Sequence, residues 1–166
     1  SGLPTIRISV NLSIKQFEQP DLTEKVAAIL RETGLDPHYL ELEITVSMAM
    51  DVERATRTLR GLKSLGLYVS MDDFGTGYSS LSVLKQFPID KLKIDQSFVR
   101  DLHTNEGSAS IVATIVAMAH HLNLSVIAEG VETKEQYDFL REHQCDQIQG
   151  YYFSPPLPPA EFERLV

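Results

Sequence analysis

Short apolar runs, rich in β-branched residues and bounded by polar or glycine positions, alternate along this chain with stretches of helical periodicity. The short runs predict strands at residues 6–10, 40–44, 67–71, 91–95, 124–128 and 146–148. Between them, apolar residues recur every three or four positions, as on the buried face of a helix. Strands that alternate with helices predict a parallel α/β fold.

Polar residues mark the helix boundaries. Asp21 with Glu24, and Thr133 with Gln136, have the spacing of a capping box, and Gly34 predicts the end of the first helix. Further helices are predicted to span residues 51–66 and 111–122, and a short one is predicted to begin at residues 158–161. The helices therefore separate the strands as a parallel arrangement requires.

The predicted strand 67–71 leads into two adjacent carboxylates, Asp72 and Asp73, and then into a glycine-rich loop. Two like charges side by side repel each other unless a cation or hydrogen-bond donors compensate them. Carboxylate oxygens are the ligands that Mg²⁺ and Mn²⁺ prefer, so the pair indicates a divalent-cation site. A solvated turn is the alternative for an isolated Asp-Asp pair.

Polar side chains occur at or near the ends of the other predicted strands as well. They are Asn11, Glu43, Lys93, Asp95, Glu129 and Gln149. In parallel α/β folds the carboxyl ends of the strands converge on one mouth, and contributions from six strands favour a closed barrel over an open doubly wound sheet. A complete (β/α)₈ barrel needs about 200 residues or more, so we expect about six of its eight units in these 166 residues, with the first two upstream.

Composition narrows the class of protein. A hydrophobic content of 43% suits a single domain over residues 1–166, and a net charge of −8 without a basic run argues against polymeric nucleic acid as a partner. Cys145 is the only cysteine, so we expect no internal disulfide and a cytoplasmic location. No apolar run reaches the about 18 residues of a membrane span, although the chain could be the cytoplasmic part of a membrane-anchored protein.

Six segments in order resemble the EAL domain family of bacterial cyclic di-GMP phosphodiesterases. They are VNLS (10–13), ELEIT (41–45), DDFGTGYSSL (72–81), KIDQSFV (93–99), AEGVET (128–133) and QGYYFS (149–154). The resemblance covers essentially the whole chain and implies the C-terminal portion of a modified (β/α)₈ barrel. It implies metal-dependent hydrolysis of cyclic di-GMP to the linear dinucleotide 5′-pGpG.

The resemblance also implies roles for individual residues. Asn11, Glu43, Asp72 and Asp73 are expected to hold one or two Mg²⁺ or Mn²⁺ ions, and Lys93 and Glu129 to be catalytic. The residues expected to support this mouth are Asp95, Glu132 and Gln149, and those expected to line a wall against guanine are Tyr152, Phe153 and Pro155.

Several of these residues have a simpler structural interpretation when taken one at a time. Lys93 could flank a strand, Asn11 could cap a turn, and Glu132 could favour the N-terminus of the next helix. Aromatic packing is an equal alternative for Tyr152 and Phe153.

The chain departs from the family pattern in two ways. The Glu-Ala-Leu signature is absent, and its expected place is upstream of Ser1. Active members usually carry a second glutamate where this chain has Val46, and that acid braces the Asp-Asp loop. Because valine cannot accept a hydrogen bond, two hypotheses stand: a cyclic di-GMP phosphodiesterase, or a catalytically inactive receptor or protein-interaction module.

The resemblance further suggests partners. A homodimer is expected through residues 78–80 and the helix that follows them. An upstream sensor or GGDEF-type domain is compatible with the pattern in the parent protein.

Overall fold

A computed structural model describes residues 5–49, 51–75 and 81–165 of the chain. Within them, parallel strands form one six-stranded sheet whose spatial order follows the chain order. The strands are β1 (Ile8–Asn11), β2 (Leu40–Thr45), β3 (Tyr68–Phe74), β4 (Lys91–Ile94), β5 (Ser125–Ala128) and β6 (Gln147–Ile148). A doubly wound sheet reverses its order at a switch point, whereas this one does not. The sheet is therefore a curled part of a TIM-like barrel, and the predicted fold is confirmed.

At least one helix follows each strand of the sheet. They are α1 (Ile14–Phe17), α2 (Leu22–Thr33), α3 (Val52–Ser64), α4 (Leu81–Leu84), α5 (Gln96–Arg100), α6 (Glu106–His121), α7 (Lys134–Glu142) and α8 (Pro159–Phe162). Short 3₁₀ turns at Pro37–Tyr39 and Val46–Ala49 flank β2. None of the helices within the described ranges is long and apolar enough to cross a membrane.

Capping agrees with the sequence at one helix and not at another. Thr133 and Gln136 form the predicted capping box of α7. The box predicted at Asp21 is wrong, because the Asp21 side chain makes no cap hydrogen bond and instead pairs with Lys25 Nζ at 3.1 Å. Gly34 ends α2 in a left-handed conformation, with φ of 67°, as predicted.

The two faces of the central strands are both buried but differ in chemistry. Leu42, Ile44, Leu92 and Ile94 belong to an apolar core shared with α3 and α6, whose contribution includes Leu59. The alternate positions of the same strands point to the opposite side of the sheet, which we call the inner face. It carries Glu41, Glu43, Tyr68, Ser70, Asp72, Lys91 and Lys93. The alternation therefore brings charged side chains together inside the curve of the sheet.

Candidate active site

The inner face gathers three carboxylates around one ammonium group. Lys93 Nζ lies 2.6 Å from Glu43 Oε2, 2.7 Å from Glu129 Oε1 and 3.2 Å from Asp72 Oδ1. These residues come from β4, β2, the segment after β5, and β3, and the Lys93 side chain is only 5% exposed. Residues far apart in sequence therefore meet at the carboxyl ends of four neighbouring strands. We call Glu43, Asp72, Lys93 and Glu129 the upper layer.

Burial and charge act against each other in the upper layer. Burial alone lowers the pKa of an ammonium group, but hydrogen bonds to Glu129 and Glu43 outweigh it and hold the pKa of Lys93 above its ordinary value. Burial raises the pKa of Glu129, and contact with Lys93 offsets this only in part. Lys93 therefore holds its proton more firmly than an ordinary lysine, and Glu129 takes up a proton more readily than an ordinary glutamate.

The end of β3 is irregular, and this separates its two carboxylates. The pairing of β3 with β4 shifts between Met71 and Phe74, and Asp73 has a left-handed φ of 55°. The Asp73 amide donates to Asp72 Oδ1 at 3.0 Å. Asp72 contacts Lys93, whereas Asp73 is exposed and has its pKa raised by partial burial and by the neighbouring charges of Asp72 and Asp95. Both aspartates lie within β3, whereas the sequence prediction placed them after the strand.

Other predicted site residues lie at or after the carboxyl ends of their strands. Asn11 ends β1 in register with Glu43, and its side chain is exposed. Asp95 caps α5 by accepting from the Ser97 amide at 2.9 Å. The backbone amide of Glu132 donates to Gln136 Oε1 at 2.7 Å.

Gln149 is held close to the segment after β5 by its backbone. Its amide donates to the Ala128 carbonyl at 2.9 Å, and its carbonyl accepts from the Val131 amide at 3.1 Å. A Cβ atom on Gly150 would lie 2.1 Å from the Val131 carbonyl oxygen, so only glycine permits this approach. The Gln149 side chain itself is exposed.

The predicted aromatic wall packs on α7 and also borders an open depression. Tyr152 stacks on Tyr137 with ring centroids 5.4 Å apart, and Phe153 meets both rings edge to face. Phe153 also lines a depression with Ile127, which pairs with Lys93 in the β4–β5 ladder. Pro155 lines a neighbouring depression with Gln149. Phe153 therefore packs against the rings of Tyr137 and Tyr152 and is still 59% exposed.

A second charged group, not predicted from the sequence, lies two residues nearer the amino ends of β2 and β4 than the upper layer. Lys91 Nζ lies 2.8 Å from Glu41 Oε2, and Arg7 Nη1 lies 3.8 Å from the same oxygen. The Arg7 guanidinium also covers the Tyr68 ring at 3.3 Å. We call Arg7, Glu41, Tyr68 and Lys91 the lower layer. The signal was present as two glutamates and two lysines, each two positions apart and with equal 50-residue separations.

Val46, which replaces the second glutamate of the family pattern, packs against apolar residues. Val46 begins the 3₁₀ turn after β2 and is half-buried against the hydrophobic core. Residues 76–80, which include the predicted dimer contact at 78–80 and most of the loop that Val46 was expected to affect, lie outside the described residues. The structural effect of valine here therefore stays a prediction.

Three carboxylates surround the ammonium group of Lys93. Their oxygens are the kind of ligand that Mg²⁺ and Mn²⁺ prefer. In the described part of the chain, no three His, Cys, Asp or Glu side chains are arranged closely enough to hold a metal ion without rearrangement. Three carboxylates and one ammonium leave two negative charges in the upper layer, which suits a divalent cation. The donor chemistry therefore fits a metal, and the ammonium of Lys93 occupies the centre of the group.

Comparison with known proteins gives consistent results. The family model described as "EAL domain" matches residues 1–156. Cyclic di-GMP phosphodiesterase NbdA of Pseudomonas aeruginosa is 41% identical over 167 residues, which is 100% of this chain and 21% of that protein. The chain spans about a fifth of the length of the curated relatives it matches.

Solved structures show the same fold. PaMucR phosphodiesterase in a c-di-GMP complex superposes with a TM-score of 0.91 and 42% identity over 94% of this chain and 64% of that chain. BlrP1 of Klebsiella pneumoniae, in a manganese and cyclic di-GMP complex, has a TM-score of 0.83 and 33% identity over 92% of this chain and 39% of that chain. The sheet order, the convergent acidic strand ends and these matches lead to one conclusion: the chain belongs to the EAL domain family.

Proposed function

We propose that this chain carries the catalytic residues of a metal-dependent phosphodiesterase that hydrolyses cyclic di-GMP to linear 5′-pGpG. The observation that carries the proposal is the convergence of Glu43, Asp72 and Glu129 on Lys93 at the carboxyl ends of the strands. The family's homologues include named cyclic di-GMP phosphodiesterases. Mg²⁺ or Mn²⁺ is the proposed cofactor, supported by the manganese complex of BlrP1.

In this proposal Asn11, Glu43, Asp72 and Asp73 hold one or two divalent ions. Such ions, when bound, lower the pKa of water and stabilise charge on the phosphate oxygens. Asp72 and Glu43 already lie together on the inner face, and Asn11 pairs in register with Glu43. Asp73 lies next to them on the irregular end of β3.

Lys93 and Glu129 do complementary work. The pKa of Lys93 lies above its ordinary value, so the ammonium stays charged at neutral pH and can stabilise negative charge that develops on the phosphate. Burial raises the pKa of Glu129, which makes its carboxylate a stronger base toward the attacking water. Phe153, exposed beside Ile127, offers a flat apolar face for a guanine base.

A cyclic di-GMP receptor without hydrolysis is the second candidate. The observation that favours it is Val46, which is half-buried against apolar residues and has no group to accept a hydrogen bond. A loosely fixed Asp-Asp loop would lower metal occupancy while leaving the nucleotide surface in place.

The experiment that separates the two uses the full-length polypeptide that contains this chain. Hydrolysis is measured with Mg²⁺, with Mn²⁺ and with a chelator, and the linear product is resolved by chromatography. Glu43→Gln is compared with Glu53→Gln, whose side chain is 89% exposed on α3. We expect a loss of about 100-fold or more in Glu43→Gln and none in Glu53→Gln. Nucleotide binding without product in the folded wild type would contradict the enzyme and support the receptor.

A further inference from the structure

The lower layer repeats the arrangement of the upper layer one step toward the amino ends of the strands. Lys91 reaches Glu41 from β4 to β2, just as Lys93 reaches Glu43. Glu41 is 2% exposed and the Lys91 side chain is 10% exposed, so this pair lies away from water. A buried carboxylate requires a cation or hydrogen-bond donors nearby.

The strand register shows that Lys91 does not pair with the glutamate directly across the sheet from it. Lys91 pairs with Ser70 of β3, and Ser70 pairs with Glu43 of β2. Glu43 therefore lies directly across the sheet from Lys91, yet Lys91 contacts Glu41, two residues nearer the amino end. Because Lys91 takes Glu41, Glu43 is left for Lys93.

Ser70 lies between the two layers, because it pairs with Glu43 on one side and with Lys91 on the other. Its hydroxyl is fully buried on the inner face, and it has no hydrogen-bond partner among the described residues. Ser70 therefore makes no hydrogen bond that would hold either lysine in place. Which lysine pairs with which glutamate then depends on the charges of the four side chains.

We propose that Lys91 is a positioning residue for Lys93, acting through Glu41; this rests on the proposed function. Without Lys91, the cation that remains paired with buried Glu41 in the described part of the chain is Arg7 at 3.8 Å, and that side chain is 32% exposed. The next lysine along the inner face is Lys93, which is drawn toward Glu41 and away from Asp72 and Glu129. Without the charge of Glu41, Lys91 turns instead to Glu43 and competes with Lys93 there.

The proposal predicts that either single change harms the site and that the two together restore it. The variants are Lys91→Met, Glu41→Gln and the double variant, in the full-length polypeptide. Removal of one partner of a buried ion pair leaves an unpaired charge, whereas removal of both does not. We expect kcat to fall about tenfold or more in each single variant, with KM nearly unchanged, and to return to within about threefold in the double variant.

Lys25→Met is the control, because Lys25 Nζ pairs with Asp21 at 3.1 Å at the start of α2 and both side chains are exposed. The second readout is the ¹⁵N resonance of Lys93 Nζ in metal-free protein. It should move in each single variant, return in the double variant and stay unchanged in Lys25→Met. If Lys91→Met does not fold, Glu41→Gln and the double variant still give the comparison.

The two readouts separate failure of this inference from failure of the proposed function. A wild type without hydrolysis would contradict the proposed phosphodiesterase, while the Lys93 resonance would still test the positioning role. An unmoved resonance in the single variants, or a double variant as impaired as the worse single variant, would overturn the role of Lys91.

Discussion

Glu129 shows how one residue can be stabilised by a partner and penalised by burial at once. Its Oε1 lies 2.7 Å from Lys93 Nζ, yet its pKa is raised, because burial outweighs the ion pair and the charges of Asp72 and Glu43 add to the effect. The ionised form of Glu129 is therefore less favourable in the fold than in the unfolded chain.

This raised pKa predicts a pH-dependent stability difference in Glu129→Gln. Between the ordinary value of 4.5 and the raised value, folded protein binds more protons than unfolded protein, so the stability contributed by Glu129 declines as pH rises through that window. Glutamine does not titrate, so the variant should gain stability relative to wild type across the same window. Urea unfolding in chelator measures it, and exposed Glu53→Gln should show no such trend. If the variant instead loses stability relative to wild type as pH rises through this window, the assignment is contradicted.

Helix α7 is connected to the segment after Glu129 and to α5 by one buried side chain. Gln136, 5% exposed, accepts from the amides of Glu132 and Thr133 and donates to the Val99 carbonyl on α5 at 3.2 Å. One side chain therefore joins the segment that follows Glu129 to the helix that follows β4.

Gln136→Ala should destabilise the fold by about 2 kcal/mol or more, because it leaves buried backbone groups without partners. Gln16→Ala is the matched control, since Gln16 holds the same place in the capping box of α1 but is exposed. It should cost about 1 kcal/mol or less. Urea unfolding curves compare them, and equal losses would show that the contact to α5 contributes nothing.

At the scale of the whole molecule, the sheet collects negative charge at one mouth. The upper layer holds three carboxylates and one ammonium, and Asp73 and Asp95 lie near it. A cation that binds only the folded state stabilises that state by mass action.

We therefore expect Mg²⁺ or Mn²⁺ at about 100 times its Kd to stabilise the protein by about 2.7 kcal/mol. Thermal unfolding with increasing metal measures this, and Glu43→Gln should lose most of the effect while Glu53→Gln keeps it. An equal rise in Tm for both variants would indicate binding elsewhere.

The strands, several helix boundaries and the family could be predicted from the amino-acid sequence, because the alternation in β2 and β4, Gly34 and the capping box at Thr133 depend on neighbours in the chain. Helix α6 begins at Glu106 rather than at the predicted residue 111, and α1, α4 and α5 were not predicted. The same local reasoning failed at Asp21, whose side chain pairs with Lys25. The three-dimensional fold was needed to show that Lys93 lies among Glu43, Asp72 and Glu129, and that Lys91 pairs with Glu41. Those contacts follow from the register and stagger of strands that are distant in the sequence, which no local pattern encodes.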